Sequence, residues 1–372
     1  MPNKKSGKFD FPISTLVGSP LPNFLHTTSQ KKIDKKYRSR YILSLLASAI
    51  LDPFGRAENF FNKSKIKRHT PAKSPVFIIG YWRSGTTYLH NLLCHDKRFV
   101  YVSTYQGIFP NHTLWHQWWL SGIIRLLMPG ERPVDHMKLD LNFPQEEEIA
   151  MGNLQKLSFY NFFYFPDHFT DYVQKTLHFE NTSERDIKKW SESYLKLMAK
   201  AAIKTRGERF LSKCPANTFR IEKLVEMFPE ARFIYLYRNP YKVLSSFNLF
   251  LAEVINGVGF QQFDRKKHLE NICELYLHML QNYERDKHLI KPSNLLELKY
   301  EDFITHPLDS IEEIYRVFGI EGFSESTPAF QQHIELHKNH SSSQYNIDPE
   351  IKRFVNEKLT QHLTDKGYKI LD

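Results

Sequence analysis

Residues 75–93 read PVFIIGYWRSGTTYLHNLL, from Pro75 to Leu93. Val76 to Ile79 form an apolar run short enough for a buried strand. Gly80 ends it, and the turn Tyr81-Trp82-Arg83-Ser84-Gly85-Thr86-Thr87 follows. Leu89, Leu92 and Leu93 then recur at helical spacing. A strand, a glycine-bounded loop and a helix make a cradle for phosphate, because the backbone N–H groups and dipole of the new helix face the loop. The spacing Gly80-x-x-x-x-Gly85 matches a nucleotide P-loop, yet Thr86 occupies the place of the P-loop lysine. A cation, Arg83, stands earlier, inside the loop. The pattern predicts a phosphate site for a ligand other than the triphosphate of ATP.

Composition sets the frame around this loop. At 372 residues, 41% hydrophobic and 25% charged, the chain can bury a large core in one domain with additions or in two. Cys94, Cys214 and Cys273 are scattered and lack metal-ligand spacing, which argues for a reducing compartment and against a disulfide framework. The net charge of +10 is uneven, since residues 1–73 hold 15 Lys or Arg against 4 Asp or Glu. A nucleic-acid-binding body is therefore not expected. The basic clusters 31–40 and 63–68 flank an apolar stretch, Tyr41 to Leu51, that is too short to span a bilayer. It reads as a short docking helix, with contact between residues 31–73 and an anionic membrane as the alternative. A secretory signal is not expected, because two Pro and a Gly interrupt residues 13–25.

Further along, strands alternate with helices. Phe99–Ser103, Phe210–Ser212, Arg232–Tyr237 and Leu295–Tyr300 read as strands. Residues 184–205, 219–228, 241–256, 268–290, 308–318 and 349–363 read as helices. The alternation predicts an α/β fold, a three-layer α/β/α arrangement with a central parallel sheet. Residues 1–73 are expected to be a basic extension. Residues 74–372 are expected to be a single domain, with an aromatic, acceptor-binding insertion around 105–170.

A second site lies at 232–247, RFIYLYRNPYKVLSSF. Arg238 ends the strand; Asn239 suits an N-cap and Pro240 the first helical position. Arg238 thus sits at the carboxyl end of a parallel strand, where open α/β sheets bind ligands. Ser245 and Ser246 follow, so an Arg fork and a hydroxyl are available to a second phosphate.

Taken together, these motifs resemble the sulfotransferases that use 3′-phosphoadenosine 5′-phosphosulfate (PAPS). Arg83 to Thr87 resemble their 5′-phosphosulfate loop, and Arg238 with Ser246, eight apart, their 3′-phosphate motif. Residues 228–233 (FPEARF) and 298–303 (LKYEDF), followed by His306-Pro307, are similar to other parts of the broad family. The resemblance covers about residues 75–320. It implies a P-loop-like fold and PAPS as cosubstrate without a metal. It places Arg83, Ser84, Gly85, Thr86, Thr87, Arg238, Ser246 and Tyr300 at the nucleotide, with His340 in a lid. Lys213 falls near the family lysine that neutralises the transferred or bridging oxygens. Trp82 could stack on adenine, line the acceptor side or simply fill the loop.

Sulfonate transfer concentrates charge on sulfonate and leaving-phosphate oxygens, which fixed cations and loop N–H groups stabilise. Arg83 and Lys213 are the candidates. The acceptor hydroxyl needs a base. In the cytosolic branch a histidine follows the lysine by two, but here that residue is Pro215. Pro144-Gln-Glu-Glu-Glu148 resembles the Pro-x-Glu-x-Glu pattern of the glutamate-base branches, so Glu146 leads and Glu148 follows. Adjacent carboxylates favour basicity in one of them. His90, His95, His112 and His136 are further options, each better read as structural.

The aromatic runs 105–128 and 159–165 are core, or else an apolar acceptor pocket or a membrane-facing rim. The second reading implies a lipophilic acceptor: sterol-like, phenolic or lipid. The alternatives are a P-loop kinase or NTPase, a carbohydrate sulfotransferase, or a non-catalytic scaffold on the same fold. A cytoplasmic protein, peripheral to a membrane at most, is expected.

Overall fold

The computed structural model describes residues 11–127, 140–337 and 346–371. The chain divides into two compact units. One comprises Met1–Thr70, Val102–Lys204 and Phe250–Asp264; the other comprises Pro71–Tyr101, Thr205–Leu249 and Arg265–Asp372.

The second unit holds the sheet. Its strands are β1 (Lys73–Ile79), β2 (Phe99–Val100), β3 (Arg209–Lys213), β4 (Arg232–Tyr237) and β5 (Leu295–Lys299), in the order β2-β3-β1-β4-β5. Every pairing is parallel. Val76 to Ile79 are fully buried on both faces, as a continuous apolar run in a parallel sheet requires. One face packs Val76, Ile78, Ile234 and Leu236 under helices Thr86–Leu93, Pro307–Val317 and Phe323–His337. On the other, Phe77 stacks on Phe233, and Tyr235 on Tyr283 of helix Leu269–Asp286. Helices on both faces make three layers. Ile78 pairs with Lys213 and Ile79 with Tyr235, so the carboxyl ends of β3, β1 and β4 share one edge.

The first unit is helical. Helix Glu184–Thr205 matches the expected span, with Trp190, Tyr194, Leu197 and Met198 buried. A buried ion pair joins Lys200 to Glu58 at 3.3 Å. The Glu58 carboxylate also accepts the N–H groups of Leu114 and Trp115 at 2.9 Å each, and Lys200 donates to the Pro110 carbonyl at 2.8 Å. Among the described residues no helix is long and apolar enough to cross a membrane.

Several spans differ from the sequence reading. The short helix expected at 41–51 is a 24-residue helix, Arg38–Phe61. Ser44 and Ser48, inside that stretch, and Asp52 and Glu58, beyond it, are among its buried residues. The strand expected at Phe99–Ser103 stops at Val100, because Ser103 caps the next helix through a capping box with Gln106. Phe323–His337 is a helix that the sequence reading missed, with Pro328 inside it. The last helix breaks at Leu359 into Pro349–Lys358 and Thr360–Asp365.

Candidate active site at the carboxyl edge of the sheet

The loop after β1 is built on backbone that few residues adopt. Gly80 and Gly85 have φ of +132° and +95°. A Cβ on Gly80 would lie 2.2 Å from the Leu236 carbonyl oxygen, and one on Gly85 would lie 2.3 Å from the Tyr300 ring. Both positions therefore require glycine. Arg83 also has positive φ, +67°. Such a conformation in a non-glycine residue persists only where surrounding contacts over-determine it. The Ser84 N–H, donated to the Tyr81 carbonyl at 3.3 Å, supplies one across Arg83, and the Thr218 hydroxyl anchors the start of the loop by accepting the Gly80 N–H at 2.9 Å. Helix Thr86–Leu93 starts from Gly85, its N-cap, so the first-turn N–H groups of Thr86 and Thr87 open toward the loop.

The two motifs, about 155 residues apart in the chain, meet here. The Arg83 guanidinium donates from Nε to Ser246 Oγ at 2.9 Å. Arg238 donates from Nη1 to the Arg83 carbonyl at 3.2 Å and lies 4.1 Å over the Tyr300 ring. Tyr300 thus sits between Gly85 and Arg238. Asn239 Oδ1 accepts the Tyr241 N–H at 3.1 Å, which fixes the helix start behind Arg238. Among the described residues, Arg238 Nε and Ser245 Oγ are buried and meet no hydrogen-bond partner. Buried donors of this kind cost free energy unless an acceptor meets them, and phosphate oxygens would.

Lys213, at the end of β3, is buried and donates to Thr87 Oγ1 at 3.3 Å. Beside it, burial first and then the Lys213 charge hold the His90 imidazole well below its ordinary pKa. His90 is thereby a neutral packing group. Trp82 is buried and lies on Phe247, with ring planes 17° apart, so it fills the loop from behind.

A profile of the sulfotransferase family matches residues 75–325, a span that contains this whole constellation. The chain belongs to the sulfotransferase family. Over 300 residues it is 29% identical to the omega-hydroxy-beta-dihydromenaquinone-9 sulfotransferase Stf3 of Mycobacterium bovis. That match spans 80% of this chain and 76% of Stf3, and the Mycobacterium tuberculosis Stf3 matches equally. The crystal structure of sulfotransferase STF9 from Mycobacterium avium shares the fold, with TM-score 0.64 at 16% identity over 95% of this chain and 98% of STF9. STF1 from Mycobacterium tuberculosis gives TM-score 0.64 and 16% identity over 92% and 91%. The protein is thus a sulfotransferase on a P-loop-like α/β fold, and the kinase and scaffold readings are not favoured.

The candidate bases lie in the first unit. Segment 141–145 runs antiparallel to 102–105: Thr104 N–H donates to the Phe143 carbonyl and Gln145 N–H to the Val102 carbonyl, each at 2.8 Å. Helix Glu147–Leu154 follows, and Glu146 is its N-cap residue. Its carboxylate does not cap the helix but accepts the Tyr160 hydroxyl. Glu147 and Glu148 point inward. Glu147 accepts the Tyr194 hydroxyl at 2.6 Å, and Glu148 accepts the Phe159 N–H at 2.6 Å. The three carboxylates therefore differ in what they hold. His112 is tied to the Leu51 carbonyl, and His95 contacts His333 at 2.8 Å. His136 and His340 lie outside the described residues.

Sequence reasoning missed Thr218 and Tyr160. A single threonine beside a strand carries no spacing signal, and Tyr160 is hidden in the run 159–165. That run is buried throughout, as is Tyr105, whereas Trp115 and Trp118 are exposed.

Proposed function

We propose that this sulfotransferase moves the sulfonate of PAPS onto the hydroxyl of a lipophilic alcohol. The observation that supports the donor is the junction of Arg83, Ser246, Arg238 and Tyr300. It offers the Arg238 guanidinium and the Ser246 hydroxyl for a 3′-phosphate, beside a loop that presents Arg83 to a 5′-phosphosulfate. Ser84, Gly85, Thr86 and Thr87 would hold the 5′ side through N–H groups and hydroxyls. Lys213 would neutralise charge on the bridging oxygen as it leaves.

Glu146 is the proposed general base. Among the three adjacent carboxylates, Glu147 and Glu148 are committed to buried hydrogen bonds, whereas Glu146 is half-buried and held by Tyr160. The acceptor O–H proton would pass to Glu146 as the new O–S bond forms. The S–O bond to the phosphate breaks, and 3′-phosphoadenosine 5′-phosphate leaves with the electron pair.

A lipophilic acceptor is supported by the aromatic content of residues 105–165 and by the likeness to Stf3, whose name describes a menaquinone-derived acceptor. The free cysteines support a reducing compartment, and the basic segment 31–73 supports contact with an anionic membrane. Incubation with ³⁵S-labelled PAPS and a panel of long-chain, sterol, phenolic and sugar alcohols tests the reading. Label is expected in the organic-extractable alcohols, and label in sugars alone would overturn the acceptor class.

A further inference from the structure

Helix Arg38–Phe61 is built inside out. Its core-facing side carries Ser44, Ser48, Asp52 and Glu58, and the last two are the only carboxylates between residues 35 and 70. Arg40, also buried, donates to the carbonyls of Phe11, Asn256 and Gly259. Its solvent-facing side carries Leu43, Leu46, Ile50, Phe54 and Phe61 at spacings of three, four, four and seven. A helix in a water-soluble protein ordinarily shows the reverse. Here Ile50, Phe60 and Phe61 are 66%, 75% and 70% exposed.

The apolar surface does not end with this helix. Phe61 stacks on Trp115 with ring centroids 5.7 Å apart, and Phe54 meets His116 at 5.8 Å. Helix Gln117–Leu127 then adds Trp118, which is 82% exposed, and Ile123. Most polar groups of this helix are turned inward, where Glu58 and Lys200 pair; of its charged residues between the basic ends Arg56 alone is exposed, as a cation paired with Asp52. Contiguous exposed apolar surface of this size marks an interaction site.

Charge identifies the occupant. Lys35, Lys36 and Arg38 are exposed at one end of the helix, and Lys63, Lys65, Lys67 and Arg68 at the other. No exposed carboxylate lies between them, because Asp52 and Glu58 are buried. An apolar, aromatic-rich face with cations at both ends fits a lipid headgroup layer: the tryptophans suit the interface and the cations the anionic lipids.

We propose that the outer face of helix Arg38–Phe61, with Trp115 and Trp118, is a docking surface for an anionic phospholipid bilayer. The helix lies in the interface and does not cross it. This rests on the membrane contact proposed above for residues 31–73 and names the face that makes it; it does not depend on the identity of the acceptor. A bilayer is also where a lipophilic alcohol is concentrated.

Co-sedimentation of the full chain with vesicles tests it. Vesicles of phosphatidylcholine with 30% phosphatidylglycerol are expected to pull the protein down, and binding should fall as salt rises. Phosphatidylcholine alone should bind at least tenfold more weakly. The triple variant Phe60→Ser/Phe61→Ser/Trp118→Ser should lose at least tenfold on anionic vesicles, as should Lys63→Glu/Lys65→Glu/Lys67→Glu. Affinity for 3′-phosphoadenosine 5′-phosphate, measured on each variant, serves as the folding control and should not change. Absence of binding to anionic vesicles, or binding that both variants retain, overturns the proposal. So does a concentration-dependent dimer that Trp118→Ser dissociates, since a second copy would then cover the face. Vesicle binding without any sulfonate transfer would instead leave this surface standing and remove the proposed reaction.

Discussion

The loop Gly80–Thr87 and the segment Pro144–Glu148 are both short, polar stretches that lead into a helix, and both carry proposed catalytic groups. They are specified in opposite ways. The loop is fixed by backbone: two glycines that admit no Cβ, an arginine at positive φ, and a helix start. Segment 144–148 is fixed by side-chain partners: Tyr160, Tyr194 and the Phe159 N–H give three adjacent carboxylates different partners. Backbone-specified sites leave a spacing in the sequence. Partner-specified sites leave only a composition, because the partners come from elsewhere in the chain.

Four substitutions sharpen this contrast. In the loop, Arg83→Ala removes a cation at developing charge and releases Ser246. A loss of about a thousandfold in kcat is expected, since one transition-state donor is worth about 10²–10³. Steady-state assays with saturating PAPS would show it. A loss confined to KM would mean that Arg83 binds ground and transition states alike.

In the acidic segment, Glu146→Gln should lower kcat by about a hundredfold, as a general base contributes about 10²–10⁴. The melting temperature should hardly move. Glu148→Ala should show the reverse. Removing the acceptor of a buried N–H costs about 1–3 kcal/mol, so stability should fall. Activity per folded molecule should persist. If Glu148→Ala abolished turnover at unchanged stability while Glu146→Gln did not, the two roles would be exchanged.

The smallest effect concerns the buried pair behind Trp115. Burial outweighs the Glu58 charge and draws the Lys200 ammonium down to about pKa 7. Between about pH 7 and 10 the unfolded chain then carries a proton at this site that the folded chain does not. The site therefore disfavours folding near neutrality, and that cost is relieved as pH rises. Lys200→Met should flatten the rise of stability over this window in chemical denaturation. An unchanged pH profile would mean that Glu58 keeps Lys200 charged.

How much was legible follows the same division. Strand β4 and helix Glu184–Thr205 have the bounds expected from their apolar patterns, and the meeting of Arg83 with Ser246 follows from two motifs on neighbouring parallel strands. The lead-in was misread because periodicity presumes that apolar residues face inward. In Arg38–Phe61 the buried side is Ser44, Ser48, Asp52 and Glu58, so the rule inverted the helix and cut it to less than half its length. Trp82 could not be assigned from sequence because its partner, Phe247, lies in a distant helix. Glu146 could not be separated from Glu148 for the same reason.

The account stands most directly on Arg238 and Ser246, where they meet the Arg83 loop, as the holders of a 3′-phosphate. Calorimetric titration of 3′-phosphoadenosine 5′-phosphate against adenosine 5′-phosphate measures that alone. The 3′,5′-bisphosphate should bind at least a hundredfold more tightly, and Arg238→Ala should erase most of the difference. Equal affinity for the two nucleotides, or a gap that survives Arg238→Ala, would contradict it.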